Sequence, residues 1–173
     1  MPFIKYLAFL EDFALDMGGT VGTLGKQKIR SVFLSKNDEI KIAPVICYES
    51  IFGEFVTNYM KNGGNFICII TNDGWWSDSK AYKQHLSYAR LRAIETRRSI
   101  ARSANNGISA FINQKGEILK KTSWWKRNAI RFNINTNSKI TFYTIWGDFI
   151  GRIFGFLAII LLLYLFVEYR IKR

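Results

Sequence analysis

The sequence predicts an α/β layered fold followed by one C-terminal transmembrane helix. Over the first 148 residues, short β-type apolar runs alternate with stretches of helical periodicity, which is the pattern of a sheet covered by helices. Near the C-terminus, Ile153 through Val167 form fifteen consecutive residues without charge. We therefore predict an α/β domain at residues 1–148, a transmembrane helix at 149–169 and a basic tail at 170–173.

The first 27 residues are predicted to be irregular. Gly18–Lys26 superficially resembles a phosphate-binding loop, but Gln27 stands where such a loop needs a serine or threonine to bind magnesium. We interpret this segment as a glycine-rich turn. The chain begins without the basic and apolar regions of a signal peptide, so we expect it to be truncated or internally started.

The predicted strands are short runs rich in branched and aromatic residues. They lie at 29–35, 40–47, 66–70, 100–103 and 108–113, with two more near Ile118 and Ile130. Turn residues Asn37 and Asp38 separate the first two runs. Because Phe66–Ile70 is continuously apolar, it predicts a strand that is buried on both faces.

Two helices are predicted between these strands. Ser50 can cap a helix that runs to about Lys61, where Asn62-Gly63-Gly64 ends it. Asp78 or Ser79 can cap a longer helix that ends near residue 98. The buried stripe of this second helix is predicted to contain Tyr82, Leu86, Ala89 and Ala93.

The uncharged C-terminal run has two interpretations. Fifteen residues are fewer than the roughly 17–25 that cross a hydrocarbon core, but residues 149–151 extend the run if Arg152 snorkels to the interface. The alternative is a buried core helix, which rarely carries leucine, isoleucine and phenylalanine on every face. We favour the membrane span. The basic tail then stays in the cytoplasm by the positive-inside rule, and the domain lies on the outer face.

The chain is strongly basic, with a net charge of +12. A domain on the outer face of a membrane does not meet genomic nucleic acid, so we exclude that partner and expect attraction to anionic lipid headgroups. No cysteine and histidine cluster has the spacing of a metal site.

The segment IAPVICYES ends a predicted strand on Cys47. The carboxyl end of a strand, directly before a helix, is where α/β sheets hold reactive groups, and helical N–H groups favour a thiolate and can bind an oxyanion. This arrangement suits a nucleophile for acyl transfer, although a free cysteine is often simply buried. We assign Cys68 to the core and do not expect a disulfide between the two cysteines.

Three motifs carry a resemblance to a known family. They are PVICYE at 44–49, TNDGWWSDS at 71–79, and QHLSYARLRAIETRRSIARSANNGISAFINQKGEIL at 84–119. Together they resemble the carbon–nitrogen hydrolase (nitrilase) superfamily and, within it, the bacterial apolipoprotein N-acyltransferases. The resemblance implies a four-layer α-β-β-α sandwich with a Glu–Lys–Cys triad. Only Cys47 is matched, so we expect part of a sandwich that is inactive alone and unstable in isolation because one apolar sheet face is uncovered.

The resemblance also implies a reaction and its partners. A phospholipid donates an acyl chain to the cysteine, and the N-terminal amine of a diacylglyceryl-cysteine apolipoprotein accepts it, without a cofactor. Tyr48 and Glu49 match positions that support the nucleophile; Glu49 could equally be a salt-bridged carboxylate. The implied location is the bacterial inner membrane, with the domain on the periplasmic face. A tethered nitrilase-type amidase and a non-catalytic lipid- or protein-binding module are the alternatives.

Several polar and aromatic residues have an open assignment at this level. We assign Trp75 and Trp76, with Asn72 and Asp73 on the same loop, to a substrate-facing or lipid-facing surface. Trp124 and Trp125 fit an interface or a core equally well. His85 is expected to pack or hydrogen-bond inside the domain. Phosphate binding is the less favoured role for five arginines: Arg90, Arg92, Arg97, Arg98 and Arg102.

Overall fold

The structure, a computed structural model, describes residues 27–77 and 79–172. The glycine-rich turn at 18–26 and a cap at Asp78 lie outside these residues. Within the described part, six strands form one sheet in the order β1 to β6. The strands are β1 Phe33–Leu34, β2 Lys41–Ile46, β3 Phe66–Asn72, β4 Ile100–Asn105, β5 Ala110–Ile112 and β6 Ile118–Lys121.

The centre of the sheet is parallel. β2 pairs with β3, and β3 pairs with β4, in parallel register, whereas the outer strands pair antiparallel. Parallel neighbours need a crossover, which helices α1 (Gly53–Lys61) and α2 (Ala81–Thr96) supply. The carboxyl ends of β2, β3 and β4 therefore meet at one edge of the sheet.

The core lies between α1, α2 and one face of the sheet. The strands contribute Ala43, Val45, Ile67, Ile69, Ile100 and Ile112, and the helices contribute Val56, Met60, Leu86, Ala89 and Ala93. The predicted stripe on α2 is confirmed, because all four of its residues are buried. α1 ends at Lys61, before Asn62 and Gly63, as predicted.

The prediction that β3 is buried on both faces is wrong for the described residues. Ile67 and Ile69 are buried, whereas Ile70 is 61% exposed and Cys68 is only partly buried. The helices cover one face of the sheet, and no described element packs on the other. Cys68 therefore lies on this open face and not in the core. A 400 Å³ depression lies there, lined by residues that include Cys68, Ile70 and Phe111.

Two further predictions need correction. Ser50 does not cap α1, because a 3₁₀ turn over Cys47–Ile51 precedes it and Phe52 occupies the N-cap. The run near Ile130 is not a strand: residues 126–141 form no regular element, and the neighbours Ala129 and Arg131 are solvent-exposed. β6 is consequently the edge of the described sheet.

The C-terminal part consists of two helices. The short helix α3 (Phe142–Trp146) packs on α1 and α2, and α4 (Phe149–Ile171) follows it, capped by Asp148. Among the described residues, α4 is the one helix long and apolar enough to cross a membrane, with 23 residues and a mean hydropathy of 2.5 in its most apolar window. None of its side chains is buried, in contrast to a core helix. Arg152 forms an ion pair with Glu54 at its start.

Candidate active site

Cys47 directly follows β2 and begins the 3₁₀ turn. Its backbone has φ +49°, a left-handed conformation that is uncommon for a residue with a side chain and costs about 1–3 kcal/mol. The residue as a whole is partly exposed. The Thr71 hydroxyl lies 3.2 Å from both Cys47 Sγ and Asp73 Oδ1, so these two acceptors share its one hydrogen.

The peptide groups around Cys47 are held by side chains of its own turn. Glu49 Oε2 accepts a hydrogen bond from the Ile46 N–H at 2.8 Å. The Ser50 hydroxyl donates to the Cys47 carbonyl, also at 2.8 Å. Glu49 makes no ion pair within residues 27–77 and 79–172. Its contact in this structure orients the backbone directly before Cys47, as one of its two predicted roles requires.

A buried ionic cluster lies behind this turn. Asp73 begins the 3₁₀ turn Asp73–Trp76 after β3, and Arg102 Nη2 donates to both of its carboxylate oxygens, at 2.9 and 2.7 Å. His85 Nδ1 lies 3.1 Å from Asp73 Oδ1. Arg102 also donates to the Ile108 carbonyl at 2.5 Å. All three side chains are almost completely buried. The assignment of Asp73 to a substrate-facing or lipid-facing surface is therefore wrong, because its side chain is buried.

The ionisation of Asp73 depends on its partners. Burial alone would raise the pKa of its carboxyl, but the hydrogen bond from His85 and the charge and hydrogen bonds of Arg102 outweigh burial. The net result is a pKa below the usual value. Asp73 is therefore a carboxylate at neutral pH, with every strong contact made to a donor.

The lowered pKa predicts how stability varies with pH. Since the folded pKa of Asp73 lies below its unfolded value, its contribution to the free energy of unfolding is present above pH ~4 and is lost as the pH falls through the folded pKa. Urea unfolding of the detergent-solubilised protein between pH 7 and pH 2.5 measures this loss. In Asp73→Asn, which cannot ionise, the corresponding part of the pH dependence should be absent. An unchanged pH dependence in that variant would contradict the assignment.

Gly107 allows the chain to pass close to Asp73. A Cβ at this position would lie 2.7 Å from both Cβ and Cγ of Asp73 and still closer to one carboxylate oxygen. We expect Gly107→Ala to destabilise the fold by about 1–3 kcal/mol, because the buried carboxylate must move away from Arg102. Thermal unfolding measures the difference. Gly155→Ala is the matched control, since no atom lies within 4 Å of a Cβ there. Equal melting temperatures for both variants would contradict this expectation.

The two tryptophans of the loop after β3 have different environments. Trp75 is 80% exposed, as a membrane or substrate contact requires. Trp76 is partly buried against the core, with its ring edge-on to His85 at a centroid distance of 5.0 Å. Asn72 Oδ1 accepts from the Gly74 N–H and so caps the turn. Tyr48 is exposed and contacts Phe52 edge-on.

A polar cleft of about 440 Å³ opens near the carboxyl end of β4. Asn105, Asn106, Trp125, Lys126 and Arg127 contribute to its lining.

The tryptophans of the second pair also have different environments. Trp124 stacks on Tyr82 at a centroid distance of 3.9 Å, whereas Trp125 is exposed.

The residue range 13–138 matches the family described as Carbon-nitrogen hydrolase. The chain belongs to the carbon-nitrogen hydrolase family. The resemblance carried by the three sequence motifs is thereby confirmed at the level of the family. The structure agrees with it, because Cys47 stands at the carboxyl end of a parallel strand in a mixed α/β sheet.

Curated relatives of this carbon-nitrogen hydrolase chain are bacterial acyltransferases. It is 34% identical over 155 residues to the apolipoprotein N-acyltransferase of Chlorobaculum tepidum, covering 88% of this chain and 29% of that protein. It is 31% identical over 172 residues to the apolipoprotein N-acyltransferase of Borreliella burgdorferi, covering 99% of this chain and 31% of that protein. The chain thus spans about three tenths of the length of these relatives.

A solved structure of the same family supports the fold. The carbon-nitrogen hydrolase from Helicobacter pylori G27 superimposes with a TM-score of 0.54 over 60% of this chain and 43% of that chain, at 12% identity. At this identity the similarity concerns the fold alone.

The two cysteines of this family member differ in environment. Both are free thiols, so the structure contains no disulfide between them. Burial raises the pKa of the Cys68 thiol, which lowers its thiolate fraction at neutral pH. Cys68 also lies on the open sheet face, away from the edge that carries Cys47. Cys47 is therefore the candidate nucleophile.

Three of the five arginines considered for phosphate binding are structural. Arg98 donates to the carbonyls of Gly64, Thr96 and Lys139, and its burial lowers its pKa to about 10. Arg92 donates to the Ile51 carbonyl and pairs with Glu95. Both are buried, as is Arg102, so phosphate headgroups cannot reach these three side chains.

The sequence did not predict which side chains surround Cys47. The contact with the Thr71 hydroxyl and the nearby cluster of Asp73, His85 and Arg102 are seen only in the structure. The expected hydrogen-bonding role of His85 is confirmed. Within the residues that the structure describes, no group of three or more histidines, cysteines or carboxylates could hold a metal ion.

Proposed function

We propose that this chain is part of an apolipoprotein N-acyltransferase in which Cys47 carries an acyl group as a thioester. The observation that supports this most strongly is the similarity to named acyltransferases over 85–99% of the chain. Two features of the structure agree with it. Cys47 is partly exposed at the carboxyl edge of the sheet, and a helix able to cross a membrane follows the domain.

In the first half-reaction, the Cys47 thiolate attacks the ester carbonyl of a phospholipid. A carbon–sulfur bond forms, the carbon–oxygen bond breaks, and the lysophospholipid leaves as an alcohol after taking up a proton. The Thr71 hydroxyl lies within hydrogen-bonding distance of the attacking sulfur, at 3.2 Å. The glutamate base and the lysine implied by the family resemblance are assigned to no described residue, since Thr71 is the only described side chain that hydrogen-bonds to this sulfur.

In the second half-reaction, the free amine of a diacylglyceryl-cysteine N-terminus attacks the thioester. An amide bond forms, the carbon–sulfur bond breaks, and the thiol is regenerated. Transfer to an amine requires that water be kept from the thioester, which a site pressed against a bilayer achieves. We propose that α4 crosses the bacterial inner membrane with the basic tail in the cytoplasm, so that Cys47 faces the periplasmic leaflet.

The test is acylation of a lipopeptide. The protein is expressed in its full reading frame, reconstituted in phospholipid vesicles, and incubated with a synthetic diacylglyceryl-cysteine peptide. Mass spectrometry should detect a peptide that is heavier by one amide-linked acyl chain. Cys68→Ser should retain this activity. Release of ammonia from soluble amides, without peptide acylation, would instead support a tethered amidase, and neither reaction would support a non-catalytic module.

A further inference from the structure

Two buried side-chain polar atoms converge on the carbonyl of Cys47, the residue in the left-handed conformation. The Ser50 hydroxyl lies 2.8 Å from the Cys47 carbonyl oxygen, and His85 Nε2 lies 3.2 Å from the same atom. Nε2 is also 2.9 Å from the Ser50 hydroxyl oxygen. These three atoms form a closed triangle of polar contacts directly behind the nucleophile. Ser50 is 1% exposed and His85 is 2% exposed, so solvent water does not donate hydrogen bonds to these atoms.

The triangle needs two hydrogens, of which the Ser50 hydroxyl supplies one. If the imidazole carried its hydrogen only on Nδ1, Nε2 and the Cys47 carbonyl would be two acceptors sharing that one hydrogen. A hydrogen on Nε2 removes this conflict. On the far side of the ring, Nδ1 lies 3.1 Å from both Asp73 Oδ1 and Arg102 Nη2. In the neutral Nε2–H form Nδ1 accepts from Arg102 but faces the Asp73 oxygen as a second acceptor, whereas in the imidazolium Nδ1–H donates to Asp73 and neither side of the ring has a conflict. Both states leave Nε2 as a donor toward the Cys47 carbonyl.

We propose that His85 is a positioning residue for the nucleophile, acting as the Nε2–H donor that fixes the Cys47 carbonyl. Asp73 and Arg102 set its orientation from the far side of the ring, and the edge-on contact with Trp76 sets its tilt. With the carbonyl held, the left-handed φ of Cys47 is fixed, and the sulfur stays at the open edge beside Thr71. This inference rests on the proposed function for its catalytic meaning, but not for its geometry.

Glutamine tests this role because its side-chain nitrogen can occupy the place of Nε2, whereas leucine keeps the bulk without a donor. We expect His85→Leu to lower kcat for thioester formation by about tenfold or more, with the KM for phospholipid within about twofold. His85→Gln should stay within about threefold of the wild type. Ser87→Ala, an exposed position on the same helix, is the control and should be unchanged.

A second readout separates this inference from the proposed function. Alkylation of Cys47 by iodoacetamide requires no acyl donor, and it should slow in His85→Leu and recover in His85→Gln. Slower alkylation of His85→Leu with recovery in His85→Gln, in a protein that forms no thioester, would contradict the proposed function while supporting the positioning role. Equal alkylation rates in His85→Leu and His85→Gln would overturn the positioning role of His85. If His85→Leu does not fold, His85→Asn decides, because its shorter amide does not reach the place of Nε2: alkylation slower than in His85→Gln supports the role, and an equal rate overturns it.

Discussion

Replacing Cys47 with alanine should abolish peptide acylation, with a loss of about 10⁴-fold or more, because the proposed acyl carrier is then missing. The measurement is acylation of the diacylglyceryl-cysteine peptide in vesicles that contain equal amounts of folded protein. The fold should tolerate the change, since Cys47 is partly exposed and, among the described residues, Thr71 alone hydrogen-bonds to its sulfur.

The matched control for this experiment is Cys68→Ser, the other cysteine of the chain. It should retain peptide acylation, because Cys68 lies on the open sheet face and burial raises the pKa of its thiol. If Cys47→Ala acylates the peptide at the wild-type rate, a nucleophilic role for Cys47 is untenable. If Cys68→Ser alone is inactive, the two cysteines have been assigned to the wrong roles.

The largest effect on stability should come from Arg102→Met. The methionine keeps much of the volume but removes the guanidinium, leaving the Asp73 carboxylate fully buried with His85 as its remaining ionisable partner. Breaking one side of a buried ion pair costs about 3–5 kcal/mol. Urea unfolding of the detergent-solubilised protein, followed by tryptophan fluorescence, measures the change in the free energy of unfolding.

Arg131→Met is the control for that substitution, because Arg131 is exposed and its side chain makes no ion pair among the described residues. Its free energy of unfolding should stay within about 0.5 kcal/mol of the wild type. A similar value for Arg102→Met would mean that the cluster behind Cys47 contributes little to the free energy of unfolding. Combining Arg102→Met with Asp73→Asn should recover part of the loss, since no buried charge then remains unpaired.

The elements that the sequence predicted well are those with a local pattern. The stripe on α2 repeats at helical spacing, and Gly63 follows the end of α1, so both were predictable from neighbours in the chain. The position of Cys47 at a strand end was equally local. The two-sided burial of β3 failed for a different reason: an apolar run does not say how many layers cover it, and the described residues provide only one.

The ionic cluster could not be predicted from the chain. Asp73 and His85 are separated by 12 positions, and Asp73 and Arg102 by 29, so no periodicity joins them. A charged residue in a loop normally predicts solvent exposure, whereas Asp73 is 0% exposed. One local signal pointed to this packing: Gly107 follows the end of β4, and the lack of a side chain there lets the backbone approach the carboxylate.

The most direct measurement is to locate the acyl group itself. The reconstituted protein is incubated with phospholipid without a peptide acceptor, digested, and analysed by mass spectrometry before and after hydroxylamine, which cleaves thioesters. The peptide that contains Cys47 should carry one acyl chain that hydroxylamine removes, and the Cys68 peptide should be unmodified. An active preparation in which the acyl chain is found on Cys68, or on no cysteine at all, would contradict the assignment of Cys47 as the acyl carrier.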